Sequence, residues 1–224
     1  MDACGCPGFA SIFDRQTAEH DRERYRKGGP DRTSAMLLEM IRRRGVAGAS
    51  VLDIGGGIGI VGRELLRSGA AAAVLVDGSE AYLDVARAEA EADGLGEQMQ
   101  IVLGDFTRLA PELAPADVVT LDRVICCYPD VDALVGLSAA RARRLYGLVL
   151  PRDHWYGRFL TRLENLWLAL RRSPFRSFAH SNALVDGRVA AAGMRIVDER
   201  FTSLWRVVLF ERPASDAPVP VPPA

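Results

Sequence analysis

Long apolar runs are missing from this 224-residue chain. No stretch reaches the ~18 consecutive apolar residues that a membrane-spanning helix needs. An excess of one charge is missing too. Lys and Arg number 28 against 29 Asp and Glu, a formal net charge of −1, so no global field favours nucleic acid or an anionic membrane. Basic tracts with interleaved aromatics are absent, which argues against a nucleic-acid surface. The stretch Met1-Asp2-Ala3-Cys4-Gly5-Cys6 has neither a basic n-region nor an apolar h-region; it does not read as a signal peptide, and a cytoplasmic location is expected. Cysteine is scarce, at four residues, and in that compartment these would be reduced thiols. No internal repeat is visible. What is present is ordinary for a globular domain, 49% hydrophobic and 25% charged, in a chain long enough to bury most of its apolar surface.

The chain is organised around Val51-Leu52-Asp53-Ile54-Gly55-Gly56-Gly57-Ile58-Gly59-Ile60-Val61-Gly62. It reads as a buried strand, a glycine turn and the start of a helix. Such a junction aims backbone N–H groups and a helix N-terminus at one spot, where an oxygen-rich or anionic ligand group can sit. Two glycine registers overlap. Gly57, Gly59 and Gly62 satisfy G-x-G-x-x-G, the dinucleotide fingerprint. Asp53, Gly55, Gly57 and Gly59 satisfy D-x-G-x-G-x-G, and Gly55 is the first glycine after the strand. An acid at the strand end suits a cationic ligand group and repels a pyrophosphate.

Strands and helices alternate along the chain. Strands are expected at 51–54, 73–76, 99–103, 118–121 and 145–150. Helices are expected at 11–27, 32–44, 60–68, 79–92, 131–143, 155–171 and 182–192. Two last strands, 195–201 and 204–211, are separated only by Thr202-Ser203 and should pair as an antiparallel hairpin. Short apolar strands spaced by helices imply a parallel sheet covered on both faces. The expected fold is therefore α/β: a Rossmann-like, mostly parallel, seven-stranded sheet with a C-terminal antiparallel hairpin and helices on both faces. Residues 1–44 are expected to form an arm and helices over the ligand site. Residues 45–212 would form the main domain, with 151–180 inserted as a lid. Residues 213–224, rich in proline, should be disordered.

Ligands of open parallel sheets bind at the carboxyl ends of the strands. Each of the first four strands ends in or near an acid: Asp53, Asp77, Asp105 and Asp122. A carboxylate at Asp77 can accept both ribose hydroxyls of a nucleoside, and Ser79, beside it, caps the next helix.

In its glycine loop, in Leu121-Asp122-Arg123-Val124 and in Tyr128-Pro129, the stretch from about residue 45 to 211 resembles the class I S-adenosylmethionine-dependent methyltransferases, most closely the small-molecule O-methyltransferases that include the magnesium-protoporphyrin type. The resemblance implies S-adenosylmethionine as cofactor. It implies that Gly55, Gly57 and Gly59 lie against the aminocarboxypropyl part, with Asp53 and Asp122 nearby. Asp105 would accept from the adenine amino group while the Phe106 amide serves a ring nitrogen. Tyr25, in Tyr25-Arg26-Lys27-Gly28-Gly29, would fold over the cofactor, and Ser79 belongs to the same set. The Asn-Pro-Pro-Tyr type of motif is absent after the fourth strand, which lowers the odds of a nucleic-acid base or glutamine amide as acceptor.

The expected reaction is in-line displacement at the sulfonium methyl, with the protein aligning donor and acceptor. A hydroxyl acceptor needs a base within hydrogen-bond reach. The candidates are His154, Tyr128 and Asp122, with His180 further on; His154 is the first choice. Cys4, Cys6, Cys126 and Cys127 could meet as four thiols only if the arm folds over, and their spacings are not those of standard zinc sites, so no metal is assigned. The helix from Trp155 carries Phe159, Leu163, Leu166, Trp167 and Leu170 on one side and Arg158, Arg162, Arg171 and Arg172 on the other. It suits core cover, a lid or peripheral membrane contact. As a lid, Trp155 would face the acceptor and Trp167 the core.

The expected partner is a small-molecule acceptor, methylated at oxygen, with no nucleic acid. An NAD-type dehydrogenase and a non-catalytic binding protein of the same fold are the alternatives. The sequence assigns no oligomeric state.

Overall fold

A computed structural model describes residues 12–213 of the chain. Seven strands form one sheet: β1 Ser50–Ile54, β2 Ala72–Asp77, β3 Met99–Leu103, β4 Ala116–Asp122, β5 Ala142–Pro151, β6 Arg195–Phe201 and β7 Trp205–Glu211. Their order is β3-β2-β1-β4-β5-β7-β6. The first five run parallel, and β7 enters antiparallel between β5 and β6. The helices are α1 Arg15–Gly28, α2 Arg32–Arg43, α3 Ile60–Arg67, α4 Glu80–Ala92, α5 Phe106–Leu109, α6 Val131–Arg141, α7 Trp155–Leu170 and α8 Asn182–Ala191.

The alternation of side chains along each strand builds two cores. Val51, Leu75, Val118, Leu145 and Val149 face α2, α3 and α4 on one side. Leu52, Ile54, Val119, Leu121, Tyr146 and Leu148 face α6 and α8 on the other. A third, smaller cluster joins α1 to the glycine turn and α4 through Ala18, Tyr25, Ile58 and Tyr82. The expected sheet, hairpin and two-sided helical cover are all present. The short helix α5 was not expected; it hangs from Asp105, whose carboxylate accepts the Thr107 N–H at 2.9 Å.

Asp14, Asp31 and Ser79 cap α1, α2 and α4 by accepting backbone N–H groups of the first turn, as short polar side chains do at that position. The Asp31 cap decides where α2 starts, and so sets Ser34 against the end of β4. The β6–β7 turn holds Thr202–Leu204, one residue longer than expected, closed by Thr202 N–H donating to Trp205 O at 2.8 Å. Among the described residues no helix is long and apolar enough to cross a membrane. Cys4, Cys6 and the tail from 214 onward lie outside the described residues.

Candidate cofactor site

The site begins at the turn between β1 and α3. Gly55 leaves β1 with its N–H bonded to Val76 O at 2.7 Å and φ of 62°, a left-handed conformation that glycine adopts without steric cost. A Cβ there would lie 2.6 Å from the Val124 side chain, so glycine is also what lets the turn pass the loop after β4. Gly59, at φ 75°, is the last residue before α3, and a Cβ on it would strike Met99 at 2.6 Å.

Asp53 holds this turn from beneath. Its carboxylate is fully buried and accepts from Thr120 Oγ1 at 2.7 Å and from Gly62 N–H at 3.3 Å. Burial pushes its pKa up to about 7, helped by the fields of Asp122 and Asp77 and opposed by the Thr120 and Gly62 hydrogen bonds. Asp53 does not line the cavity. The expected meeting with a cationic ligand group is therefore corrected: the acid is a scaffold for the turn. Gly62, the third glycine of the dinucleotide register, sits inside α3 and serves the same carboxylate.

A cavity of about 310 Å³ opens over the carboxyl ends of β1, β2, β3 and β4, within the range of small-ligand sites. Gly55, Gly56 and Gly57 form its floor, with Asp77, Asp105 and Asp122 around it and Ile54, Val76, Phe106 and Leu134 supplying apolar wall. Asp77 is buried and accepts Gly57 N–H at 2.9 Å and Ser79 N–H at 2.8 Å. One bond to each oxygen leaves further lone pairs. Burial raises its pKa, and the N–H groups of Ser79 and Gly57 oppose that rise.

Asp105 receives Tyr128 Oη–H at 3.0 Å, in addition to its bonds from Thr107. Tyr128 thus ties the loop after β4 to the end of β3, and it lines the cavity. Asp122 takes hydrogen bonds from Ser34 Oγ and, at 3.0 Å, from Arg123 Nε. Arg123 stands at φ 60°, uncommon for a residue with a Cβ, and its other arm reaches Asp31 at 2.6 Å. Burial raises the Asp122 pKa while Arg123 and Ser34 pull it down.

Besides Asp53, three more expected cofactor residues stand elsewhere. Tyr25 points into an ionic network behind the glycine turn, where its hydroxyl donates to Glu64 at 2.6 Å and accepts from Arg67 at 2.6 Å. Ser79 Oγ caps α4 and donates to Phe13 O at 2.7 Å, seating Phe13 rather than facing the cavity. Gly59 also lies outside the cavity lining.

His154, the first choice of base, is the residue before α7 and does not reach the cavity. His180 Nε2 lies 2.9 Å from Tyr128 O and its ring stacks on Phe178; it supports the loop from outside. Of the four candidate bases, Tyr128 and Asp122 line the cavity.

The sequence reading passed over Ser34, Arg123, Asp21, Arg24 and Phe13, all of which line it. Asp31 as a helix cap was the available signal for Ser34. The N-terminal segment is expected over the site, but no local pattern singles out Phe13, just before α1, or Asp21 and Arg24 within it. Cys126 and Cys127 have their Sγ atoms 3.7 Å apart, and Cys127 lines the cavity. Among the described residues no group of three or more His, Cys, Asp or Glu is placed to hold a metal.

Known proteins give this geometry a context. The family model described as a methyltransferase domain matches residues 51–144, which span the glycine turn and all four acids. No curated protein matches the chain. Among solved structures, the chain is similar to magnesium protoporphyrin IX methyltransferase from Synechocystis PCC 6803 with bound SAH, at 19% identity and a TM-score of 0.65, covering 90% of this chain and 84% of that one. The same enzyme with bound SAM aligns with a TM-score of 0.62. An O-methyltransferase family protein from Burkholderia thailandensis aligns at 20% identity and a TM-score of 0.63, covering 92% of this chain and 64% of that one. At these identities the likeness is one of fold.

Proposed function

With residues 51–144 a methyltransferase domain, we propose that this chain, an S-adenosylmethionine-dependent methyltransferase, acts on a small-molecule acceptor and methylates it at oxygen. The observation that carries the reading is the placement of Asp77 and Asp105, two buried carboxylates on neighbouring strand ends, at the rim of one cavity floored by Gly55–Gly57. A nucleoside needs that pattern: acceptors for its ribose hydroxyls and its exocyclic amine, with an apolar slot between.

The residues present fit the cofactor. Asp77 keeps lone pairs for the ribose, Asp105 and the Phe106 N–H serve the adenine edge, and Ile54, Val76 and Leu134 supply surface for the ring. Arg24 and Arg123 are the cations of the described lining and suit the cofactor's carboxylate. The bound cofactor would supply an activated methyl on a sulfonium that is its own leaving group. The protein's task is then alignment and proton removal. Asp122 is the base we assign for a hydroxyl acceptor. Its burial makes it a stronger base than an exposed carboxylate, and Ser34 and Arg123 fix its orientation. Tyr128, bonded to Asp105, positions rather than abstracts. The C-terminal antiparallel strand and the family match weigh against the NAD-type dehydrogenase.

Calorimetry tests the reading. Asp77→Ala should weaken S-adenosylmethionine binding ~10- to 150-fold, the loss of ~1.5–3 kcal/mol expected for a hydrogen bond to a charged group. Unchanged affinity removes Asp77 from the site, and tight NAD binding by the unmutated chain overturns the reading. An acceptor screen with a labelled methyl donor, read as labelled product, then identifies the substrate.

A further inference from the structure

Helix α7 wears its apolar face outward. Trp155, Phe159, Leu163, Leu166 and Leu170 follow one another at steps of three and four, so they share one side of the helix. All are exposed, from 46% at Leu163 to 77% at Leu170, and Trp167 beside them is 50% exposed. The opposite side does the anchoring. Leu168 is buried, and the Asn165 amide clamps Ser177 by donating to its carbonyl at 2.8 Å and accepting its N–H at 2.9 Å. The strap that follows is fixed by Phe178 N–H donating to Cys126 O at 2.7 Å and by Phe175 set edge-on to Phe13. The helix cannot roll its apolar face inward without losing these bonds.

Charge tells what covers that face. From Phe159 to Arg176 the sequence has Arg162, Arg171, Arg172 and Arg176 against one acid, Glu164, in a chain of net charge −1. All four arginines are exposed, and the Arg171 guanidinium lies 4.0 Å over the Trp167 ring. The tip of the β6–β7 hairpin extends the apolar surface. Phe201 and Leu204 are exposed, and Arg152 ties them to the start of α7 through its N–H to Leu204 O at 2.9 Å and its guanidinium over Phe201.

We propose that this face lies on an anionic lipid bilayer. Trp155, Phe159, Leu163, Leu166 and Leu170 would enter the boundary between headgroups and acyl chains, and the arginines would meet lipid phosphates. Tryptophan and leucine on one side of a helix with arginine beside them is the composition of interfacial helices. A symmetric pairing of two copies across this face would oppose arginine to arginine, which disfavours it. The strap after α7 is bonded to Cys126 and Tyr128 on the loop whose Cys127 and Tyr128 line the cavity, so docking would hold the cavity beside the membrane surface.

The full chain is to be sedimented with vesicles of phosphatidylcholine alone and of phosphatidylcholine mixed with phosphatidylglycerol. Binding to the anionic vesicles with a blue shift of tryptophan emission is expected, weakened about tenfold or more on the neutral ones. Phe159→Asp/Leu166→Asp should abolish it. Arg171→Gln/Arg172→Gln should weaken it about tenfold on anionic vesicles and leave neutral ones unaffected. These positions are exposed, and thermal midpoints within a few degrees of the parent confirm the variants are folded. A parent chain left in the supernatant, or binding indifferent to Phe159→Asp/Leu166→Asp, overturns the proposal. So does a dimer in analytical ultracentrifugation that this double variant dissolves while vesicles are ignored. None of these outcomes depends on S-adenosylmethionine binding, which calorimetry follows separately.

Discussion

The carboxyl edge of the sheet and the segment 151–180 invert each other. In the first, charged groups are inside: Asp53, Asp77 and Asp105 at the strand ends accept hydrogen bonds, and behind them, in α3 and α4, Arg63 and Glu89 are buried as an ion pair. In α7, apolar groups are outside, and among the described side chains only Leu168 is buried. Burying a charge is costly unless it is paired, so the first region must be geometrically exact to exist at all. Exposing leucine and tryptophan is cheap for a folded chain in isolation, but a contiguous patch of them marks a surface made to meet something. The first region is built to hold one small ligand in place, and the second to touch a surface.

Three substitutions sharpen that contrast, the largest first. Arg63 is fully buried in α3, with Asp93 at 2.6 Å and Glu89 at 3.5 Å and the Tyr25 ring 5.0 Å from its guanidinium. Arg63→Ala leaves those acids without their buried partner and should cost about 3–5 kcal/mol, measured by urea denaturation. A loss under ~1 kcal/mol would mean the network relaxes into water and the inside-out contrast is weaker than it looks.

Next is a pH effect at Asp53. Its folded pKa, about 7, stands above the ordinary 3.8, so the folded protein holds this proton more tightly than the unfolded chain. Its contribution to stability is therefore full at low pH and falls as pH rises from about 4 to 7. Asp53→Asn should remove this slope. The stability difference between mutant and parent should move by roughly 2–3 kcal/mol in favour of the mutant between pH 5 and pH 8. A difference that stays flat with pH would show Asp53 ionised throughout.

The smallest effect belongs to α7. The sequence led us to expect Trp167 in the core, where truncation would cost ~3–5 kcal/mol. It is half exposed beneath Arg171, so Trp167→Ala should lower stability by about 1 kcal/mol or less. A loss as large as that of Arg63→Ala would make α7 core cover after all. Trp155, 76% exposed, does not line the cavity either, so neither tryptophan closes over the site as a lid.

Much of the fold could be read from the chain. Strands of parallel sheets are short, apolar and bounded, as β1 and β3 are, and β6 was legible through the short turn that separates it from β7. The glycine register was legible because only one arrangement puts the first glycine directly after the strand. α5 escaped because four residues show no helical period; it exists through the Asp105 cap. Tyr25, Ser79 and His154 illustrate a different failure. Each lies near a motif in sequence, but nearness does not say which way a side chain points. Tyr25 turns toward Glu64 and Arg67, Ser79 toward Phe13, and His154 sits at a helix entrance away from the cavity.

The sequence by itself determined the strand–glycine–helix unit, the alternation that makes the sheet parallel, the closing hairpin, and an acid at each of four strand ends, because each depends on local pattern and chain order. Only the tertiary structure decided what those acids do. Asp53 is withdrawn beneath the turn while Asp77, Asp105 and Asp122 face the cavity, because the turn after β1 carries Gly62 back over Asp53, and Thr120 on the neighbouring strand completes its bonding. Likewise the periodicity of α7 defined an apolar face, but its direction was fixed by Leu168 and by the Asn165–Ser177 clamp, contacts between residues whose meeting depends on the path of the strap.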